Sequence, residues 1–463
     1  MQNVPGLPKF IYIFMVICMV DVTVIGSGPG GFEAALQAGK SGLRVAVVTA
    51  TPPGGRATVG SLLPSKVWLT EAERFYAAKS MAETLEPNIE AITSTVNSRM
   101  KQRSSDIAKS LSELGIKLYL GTARLTGPQR VTVSPNEEGT PEEEIETEHV
   151  ILATGSEPRF FPEVKPDGQR IIAPRHTRML KEIPKSILFV GGGVTATEYA
   201  SVFAKLGSTV TLLTDIDRLL PRSDAELVDS LTARLRKLGI DIVTNAPVAS
   251  VASKEAGVVT TTRDGTVYET DYAFIATGRL PDTEAFAKSG LDLKTDESGA
   301  VVTDAQQRTS ISSLFAVGDA AGPPLIANKA IRQARVAVAA IRGDSEGDLI
   351  SAGLNIEAVY THPEIAQVGP VLELAEREND GVSVFRRSYA DALLPVIQGD
   401  EGGYVKLWHD SATGELLGGA AYGEHAVELM APVQLAVEGG MTMKELMRSP
   451  FAHPSLTEIL SIG

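Results

Sequence analysis

Apolar residues along this chain fall into one arrangement that occurs twice and a different texture that follows it. In "DVTVIGSGPGGFEAALQAGKSGLRVAVVT" (21–49), a β-branched run from Val22 to Ile25 leads into a glycine turn, a helical stretch and a second apolar run. An uninterrupted β-branched run marks a strand buried on both faces. "SILFVGGGVTATEYASVFAKLGSTVTLLT" (186–214) repeats the order. Two such βαβ units predict two Rossmann-like dinucleotide-binding domains. Between them, Ile89, Ile92, Val96, Met100, Ile107, Leu111 and Leu114 mark one face of a helix that Gly115 ends. "NEEGTPEEEIETEH" (136–149) reads as a solvated hairpin loop. From about Leu354, "AVYTHPEIAQVG", "GGYVKLW" and "ELLGGAAYG" read as strands of an antiparallel sheet. "HAVELMAPVQLAVEGGM" and "TMKELMRS" read as helices. The fold class is α/β, with two Rossmann-like domains and a C-terminal α+β module.

Composition narrows the setting. The 463 residues fit about three domains. Acidic residues outnumber basic ones 57 to 43, for a net charge of −14, and no basic block appears. That argues against nucleic acid or an anionic membrane as partner. One cysteine, Cys18, excludes any intrachain disulfide and fits a reducing, cytoplasmic setting. "FIYIFMVICMV" (10–20) is apolar but too short for the ~20 residues of a membrane span, and it lacks the marks of a signal peptide. The segment 1–20 reads as an extension with Met19 as the true start, as an interfacial anchor, or as an extra packed segment. No metal site is expected.

The two glycine turns carry chemistry. The first is Gly26-x-Gly28-x-x-Gly31. Gly26 allows the tight turn, Gly28 lets a pyrophosphate approach the backbone, and Gly31 packs helix against strand. The helix N-terminus offers free N–H groups to the phosphates. An acid is expected at the end of the second strand to bind a ribose hydroxyl; Thr49 stands there. The second turn is Gly191-x-Gly193-x-x-Ala196, and its strand-end residue is Thr214. Without a carboxylate there, NADPH is not barred, and Arg218 lies close enough in sequence to meet its 2′-phosphate. Asp215 and Asp217 argue for NADH.

Four more segments complete a pattern: "VILATGSEPR" (150–159), "AFIATGRLPD" (273–282), "SLFAVGDAAG" (313–322) and "FAHPSLTE" (451–458). With both glycine turns, and in this order, they resemble the pyridine nucleotide–disulfide oxidoreductases of the dihydrolipoamide dehydrogenase type, from about Val22 to the C-terminus. The resemblance implies FAD on the first turn and NAD(P)H on the second. It places an FAD domain over 21–170 and 285–350, an NAD(P) domain over 171–284 and a homodimer interface over 351–463. It implies that Gly318-Asp319 holds the flavin ribityl or its phosphate. Thr154-Gly155 and Thr277-Gly278 would be crossover turns between domains. Lys66 and Glu198 match a Lys–Glu pair beside the flavin atom that receives hydride, where a cation stabilises arriving negative charge. His453 and Glu458 match an acid–base dyad whose His serves the partner subunit's site.

One stretch departs from the family. In "GGRATVGSLLPSK" (54–66), Ala57 and Leu62 stand where the family has two redox cysteines. Cys18 precedes the first strand and does not replace them. The reading is an FAD-dependent NAD(P)H oxidoreductase that passes electrons from the flavin to a small diffusible acceptor such as a quinone. The alternative is a flavin-binding relic that serves as a binding or assembly subunit.

Overall fold

The computed structural model describes residues 19–82, 84–344, 354–400 and 402–461. Cys18, most of the N-terminal apolar segment and the domain boundary at 350/351 lie outside the described residues. The first unit is β1 (Val20–Ile25), α1 (Pro29–Lys40) and β2 (Val45–Thr49). Val22 and Val24 pack on Ala34, Ala35 and Ala38 of α1. Ile25 points the other way, into a core with Ala46, Val48 and Leu152. Both faces are covered, which is why Thr23 is buried along with Val22, Val24 and Ile25.

Next come α2 (Gly55–Val59), α3 (Leu62–Lys79), α4 (Ile89–Glu113), β3 (Lys117–Gly127), β4 (Arg130–Pro135) and β5 (Glu143–Leu152). Parallel pairing puts β1 between β2 and β5, with β3 beyond β2 and the strand Leu314–Ala316 beyond β5. The first glycine turn therefore leaves the carboxyl end of a central strand, where open α/β sheets form their ligand crevice.

Two segments depart from their sequence pattern. Leu114, expected on the apolar face of α4, is exposed: it is the helix's C-cap, and Gly115 at φ +67° turns the chain away. The acidic run is a loop only to residue 142, because β5 begins at Glu143. Ile145 and Thr147 are buried on alternate positions. Several of the run's acids face cations on β3 and β4: Arg130 lies 3.1 Å from Glu144 and Arg124 lies 3.6 Å from Glu142. Cross-strand pairing makes the charged run compatible with a sheet.

The second unit is the strand Ser186–Val190, α5 (Val194–Lys205) and the strand Thr209–Leu213. Its five-stranded parallel sheet runs in the order 241–243, 209–213, 186–190, 272–275, 171–172. Helix α3 of the first unit packs on α5 of the second, with Trp68 stacked on Phe203 at 5.9 Å between ring centres. The short strands Ser156–Pro158 and Arg279–Pro281 pair antiparallel and join the units a second time.

The C-terminal module is a five-stranded antiparallel sheet in the order 357–359, 364–368, 416–423, 404–410, 382–388. The helix Ala426–Glu438 packs against it. The edge strand Val382–Ser388 is absent from the sequence pattern, since its apolar alternation covers only Val382 and Val384 before Phe385 and the basic Arg386 and Arg387 break it. A buried ion pair, Lys406 to Asp224 at 2.8 Å, fixes this module to the second unit.

Candidate active site

The first glycine turn is shaped for a dinucleotide. Gly26 has φ +105°, and a Cβ there would run into the Ala153 carbonyl. A Cβ on Gly31 would run into the carbonyl of Gly26. A Cβ on Gly28 would meet nothing within 4 Å. Two glycines thus close the strand–helix contact, and the middle one leaves room for phosphate above the start of α1. The second turn repeats this: Gly191 at φ +120° abuts the Ala276 carbonyl, Gly193 is open, and Ala196 is fully buried in α5. The residues present fit FAD and NAD(P)H.

The two strand-end threonines differ. The Thr49 hydroxyl donates to the Thr51 carbonyl at 3.1 Å and accepts from Ser27 Oγ at 2.9 Å. Its proton is committed, so toward a ribose it is left with acceptor capacity only. The Thr214 hydroxyl is buried against Gly192 and has no hydrogen-bond partner among the described residues. Arg218 spends one N–H on the Pro221 carbonyl at 2.8 Å, and Asp215 and Asp217 are exposed.

A polar cluster surrounds the Gly318-Asp319 turn. Asp319 accepts from Ser156 Oγ and lies 3.7 Å from Arg279. Arg279 also donates to the Ser156 carbonyl at 2.7 Å. Burial, then the nearby Arg56, push the Arg279 guanidinium down to about 10. Lys329, buried in the helix Ala327–Arg342, donates to the Gly322 carbonyl, and burial lowers it to about 8. Thr154 Oγ1 donates to the Asp282 carbonyl at 2.7 Å, and Thr277 Oγ1 to the Arg159 carbonyl at 2.6 Å. Gly155 and Gly278 take φ +79° and +100°, so the two turns cross where the linking strands start. Arg279 and Lys329 were not singled out in the sequence. Arg279 directly follows Gly278 in a quoted motif, which was the available signal.

Packing of α3 on α5 brings Lys66 to Glu198, 132 positions away in sequence. Lys66 Nζ lies 2.7 and 2.8 Å from the two carboxylate oxygens. The Glu198 side chain is 3% exposed. Two further contacts come from the C-terminal module: the Tyr360 N–H donates to Glu198 Oε1 at 3.0 Å, and Lys66 Nζ sits 4.3 Å from the Tyr360 ring centre. Leu62 lies one helical turn before Lys66 on α3, 45% exposed, and Ala57 is half-buried on α2. The other pair is separate. His453 Nδ1 lies 2.5 Å from Glu458 Oε2, and Glu458 Oε1 accepts the Leu393 N–H at 2.9 Å. Burial raises Glu458, but Leu393 and His453 outweigh it and hold the carboxyl below its ordinary value. His453 is 68% exposed, and among the described residues no hydrogen bond or ion pair joins it to Lys66 or Glu198.

A cleft of about 240 Å³ opens beside Glu73, Arg234, His362, Asp400, Tyr422 and Glu424. His362 Nδ1 lies 2.9 Å from Glu424. The bond to Glu424 raises His362 above its ordinary value against the pull of burial. Burial raises Glu424, but His362 and Lys205 outweigh it and lower the carboxyl. A raised His contributes stability in full below its unfolded pKa of about 6.5 and loses it as pH rises through the folded value. His362→Gln should therefore lower Tm more at pH 6 than at pH 9, by about 1–2 °C for a half-exposed pair. Thermal melts at the two pH values check this; equal losses would dissociate the effect from protonation.

Two glycine-turn units sharing one internal ion pair, with an antiparallel module behind them, define an oxidoreductase class built for two dinucleotides. The chain belongs to the pyridine nucleotide-disulphide oxidoreductase family, whose sequence profile matches residues 20–340 and whose dimerisation-domain profile matches residues 356–461. The family uses FAD and NAD(P)H, and the C-terminal domain supports a homodimer. Dihydrolipoyl dehydrogenase of Chlorobaculum tepidum is 36% identical over 449 residues, covering 95% of each chain. That of Halobacterium salinarum is 30% identical over 451 residues, covering 95% of this chain and 94% of its own. The crystal structure of LpdA from Mycobacterium tuberculosis matches with a TM-score of 0.90 at 27% identity, covering 96% of this chain and 98% of its own. The HOCl-induced flavoprotein disulfide reductase RclA of Escherichia coli shares the fold, with a TM-score of 0.84 at 24% identity over 95% and 98% of the two chains. Among the described residues no helix is long and apolar enough to cross a membrane, and no group of three or more His, Cys, Asp or Glu is arranged to hold a metal ion.

Proposed function

We propose that this protein oxidises NAD(P)H at bound FAD and releases the electrons to a diffusible planar acceptor of the quinone class, with no protein disulfide between. The observation that carries the reading is the pair Ala57 and Leu62 at the family's dithiol positions, in a chain whose single cysteine lies before β1. Bound together, FAD and NAD(P)H supply hydride donation and its acceptance. The first glycine turn, with Asp319, Arg279 and Ser156, would hold the flavin nucleotide; the second turn, with Thr214 and Arg218, would hold NAD(P)H.

Lys66 keeps a positive charge where negative charge develops, and Glu198 fixes its direction. Leu62 gives the former thiol position an exposed apolar surface, suited to the face of a planar acceptor rather than to a disulfide. Glu458 orients the His453 imidazole through its contact with Nδ1. The exposed ring is then available to deliver a proton to an acceptor in the partner's site.

Steady-state assays with NADH and NADPH test this. A soluble benzoquinone should be reduced, while lipoamide reduction should stay at background. Lipoamide turnover at rates near those of the quinone would contradict the reading. A purified protein that neither carries nor takes up FAD would favour the relic alternative.

A further inference from the structure

We propose that Tyr360 is a positioning residue for the Lys66 ammonium, so that the dimerisation domain sets the charge at the hydride site. The inference rests on the reading of Lys66–Glu198 as the pair beside the flavin.

Tyr360 touches both members of this ion pair. Glu198 takes Lys66 Nζ on both of its oxygens, at 2.7 and 2.8 Å. The backbone N–H of Tyr360 donates to one of those oxygens at 3.0 Å. The Tyr360 ring then presents its face to the ammonium at 4.3 Å from the centroid, within the range of a cation–π contact. Tyr360 directly follows the first strand of the C-terminal sheet, Glu357–Val359. Helices α3 and α5 therefore supply the two charges, and a third unit holds them in place. Burial, with Glu364 and Glu198 nearby, raises the phenol above its ordinary value, so the ring is a neutral platform and not a competing anion.

A lysine ammonium is compact and strongly hydrated, on a flexible four-carbon stem. With the ring gone, one side of the ammonium opens to water, since Tyr360 is itself 37% exposed. The charge swings outward and its field on the flavin weakens. Tyr360→Leu should then lower the ratio of reduced to oxidised FAD at a fixed poise about fivefold, which is about 20 mV for a two-electron couple. Tyr360→Phe keeps the ring and should leave the ratio unchanged. Tyr360→Trp offers a stronger face and should raise it.

The experiment is anaerobic redox titration of the FAD-loaded protein against a reference dye, followed by flavin absorbance. FAD content and thermal melting are recorded for each variant. Lys66→Met/Glu198→Gln is the comparator, and Tyr360→Leu is repeated in that background, where it should have no effect. A shift in the comparator with none in Tyr360→Leu overturns the role of Tyr360 alone. No shift in the comparator overturns the underlying reading of Lys66–Glu198. If Tyr360→Leu does not fold, Tyr360→Trp decides: an unchanged or lowered ratio overturns the proposal. A fivefold loss in Tyr360→Phe would move the effect to the hydroxyl and overturn it as well.

Discussion

Lys66→Met/Glu198→Gln should slow bleaching of the flavin by NAD(P)H by about 10²–10³-fold while FAD stays bound. The magnitude follows from removing one fixed charge from a partly buried site, where such a group is worth more than in bulk water. The double change is the right one. Glu198 is buried, and Lys66→Met alone would leave its carboxylate with only the Tyr360 N–H among these partners. Breaking such a pair from one side costs about 3–5 kcal/mol. The single variant should therefore lose stability as well as rate, and the neutral pair should lose rate with little change in Tm. Stopped-flow absorbance under anaerobic conditions reads the rate. A double variant that bleaches within threefold of the parent would remove Lys66 from the chemistry.

Gly28→Ala and Gly31→Ala should fail in different ways. The Gly31 methyl would lie against the Gly26 carbonyl, well inside van der Waals contact, and backbone has to move to accommodate it. Overpacking of that kind costs about 1–3 kcal/mol or more, and it falls on the α1–β1 contact that shapes the turn. Gly31→Ala should lower the Tm of the FAD-free protein and abolish stable FAD binding. Gly28 has φ −65° and ψ −176°, which alanine adopts freely, and its methyl would enter empty space. Gly28→Ala should leave the FAD-free Tm unchanged and weaken FAD at least about tenfold, because that space is where the diphosphate approaches. Calorimetric melts and flavin-fluorescence titrations separate the two outcomes. Tight FAD binding by Gly28→Ala would mean that the phosphates lie elsewhere.

The glycine turns were legible in the sequence because local sterics dictate them: the spacing encodes which glycines touch backbone and which stays open. The double burial of β1 was legible in its β-branched run, and the apolar face of α4 in its helical period. Leu114 was misplaced because the helical period does not announce the cap. The acidic run was misread because its neutralising partners, Arg124 and Arg130, lie on other strands. Lys66 and Glu198 are joined only by the packing of α3 on α5, so their pairing rested on the resemblance and not on any spacing. Tyr360 was read as part of a strand segment. The chain leaves the sheet at Val359, and only the tertiary structure turns the next residue toward another domain's ion pair. The commitment of the Thr49 proton to Thr51 depends on rotamer and turn geometry, which no sequence pattern carries.

Reductive titration answers the question raised by Ala57 and Leu62. With no dithiol, the FAD-loaded protein should take up two electrons per subunit from dithionite under anaerobic conditions, all into flavin. No long-wavelength band from thiolate-to-flavin charge transfer should appear at any point. Cys18→Ala should give the same endpoint. An uptake of four electrons per subunit, or a charge-transfer band at half reduction, would show a second redox centre and contradict direct transfer from the flavin.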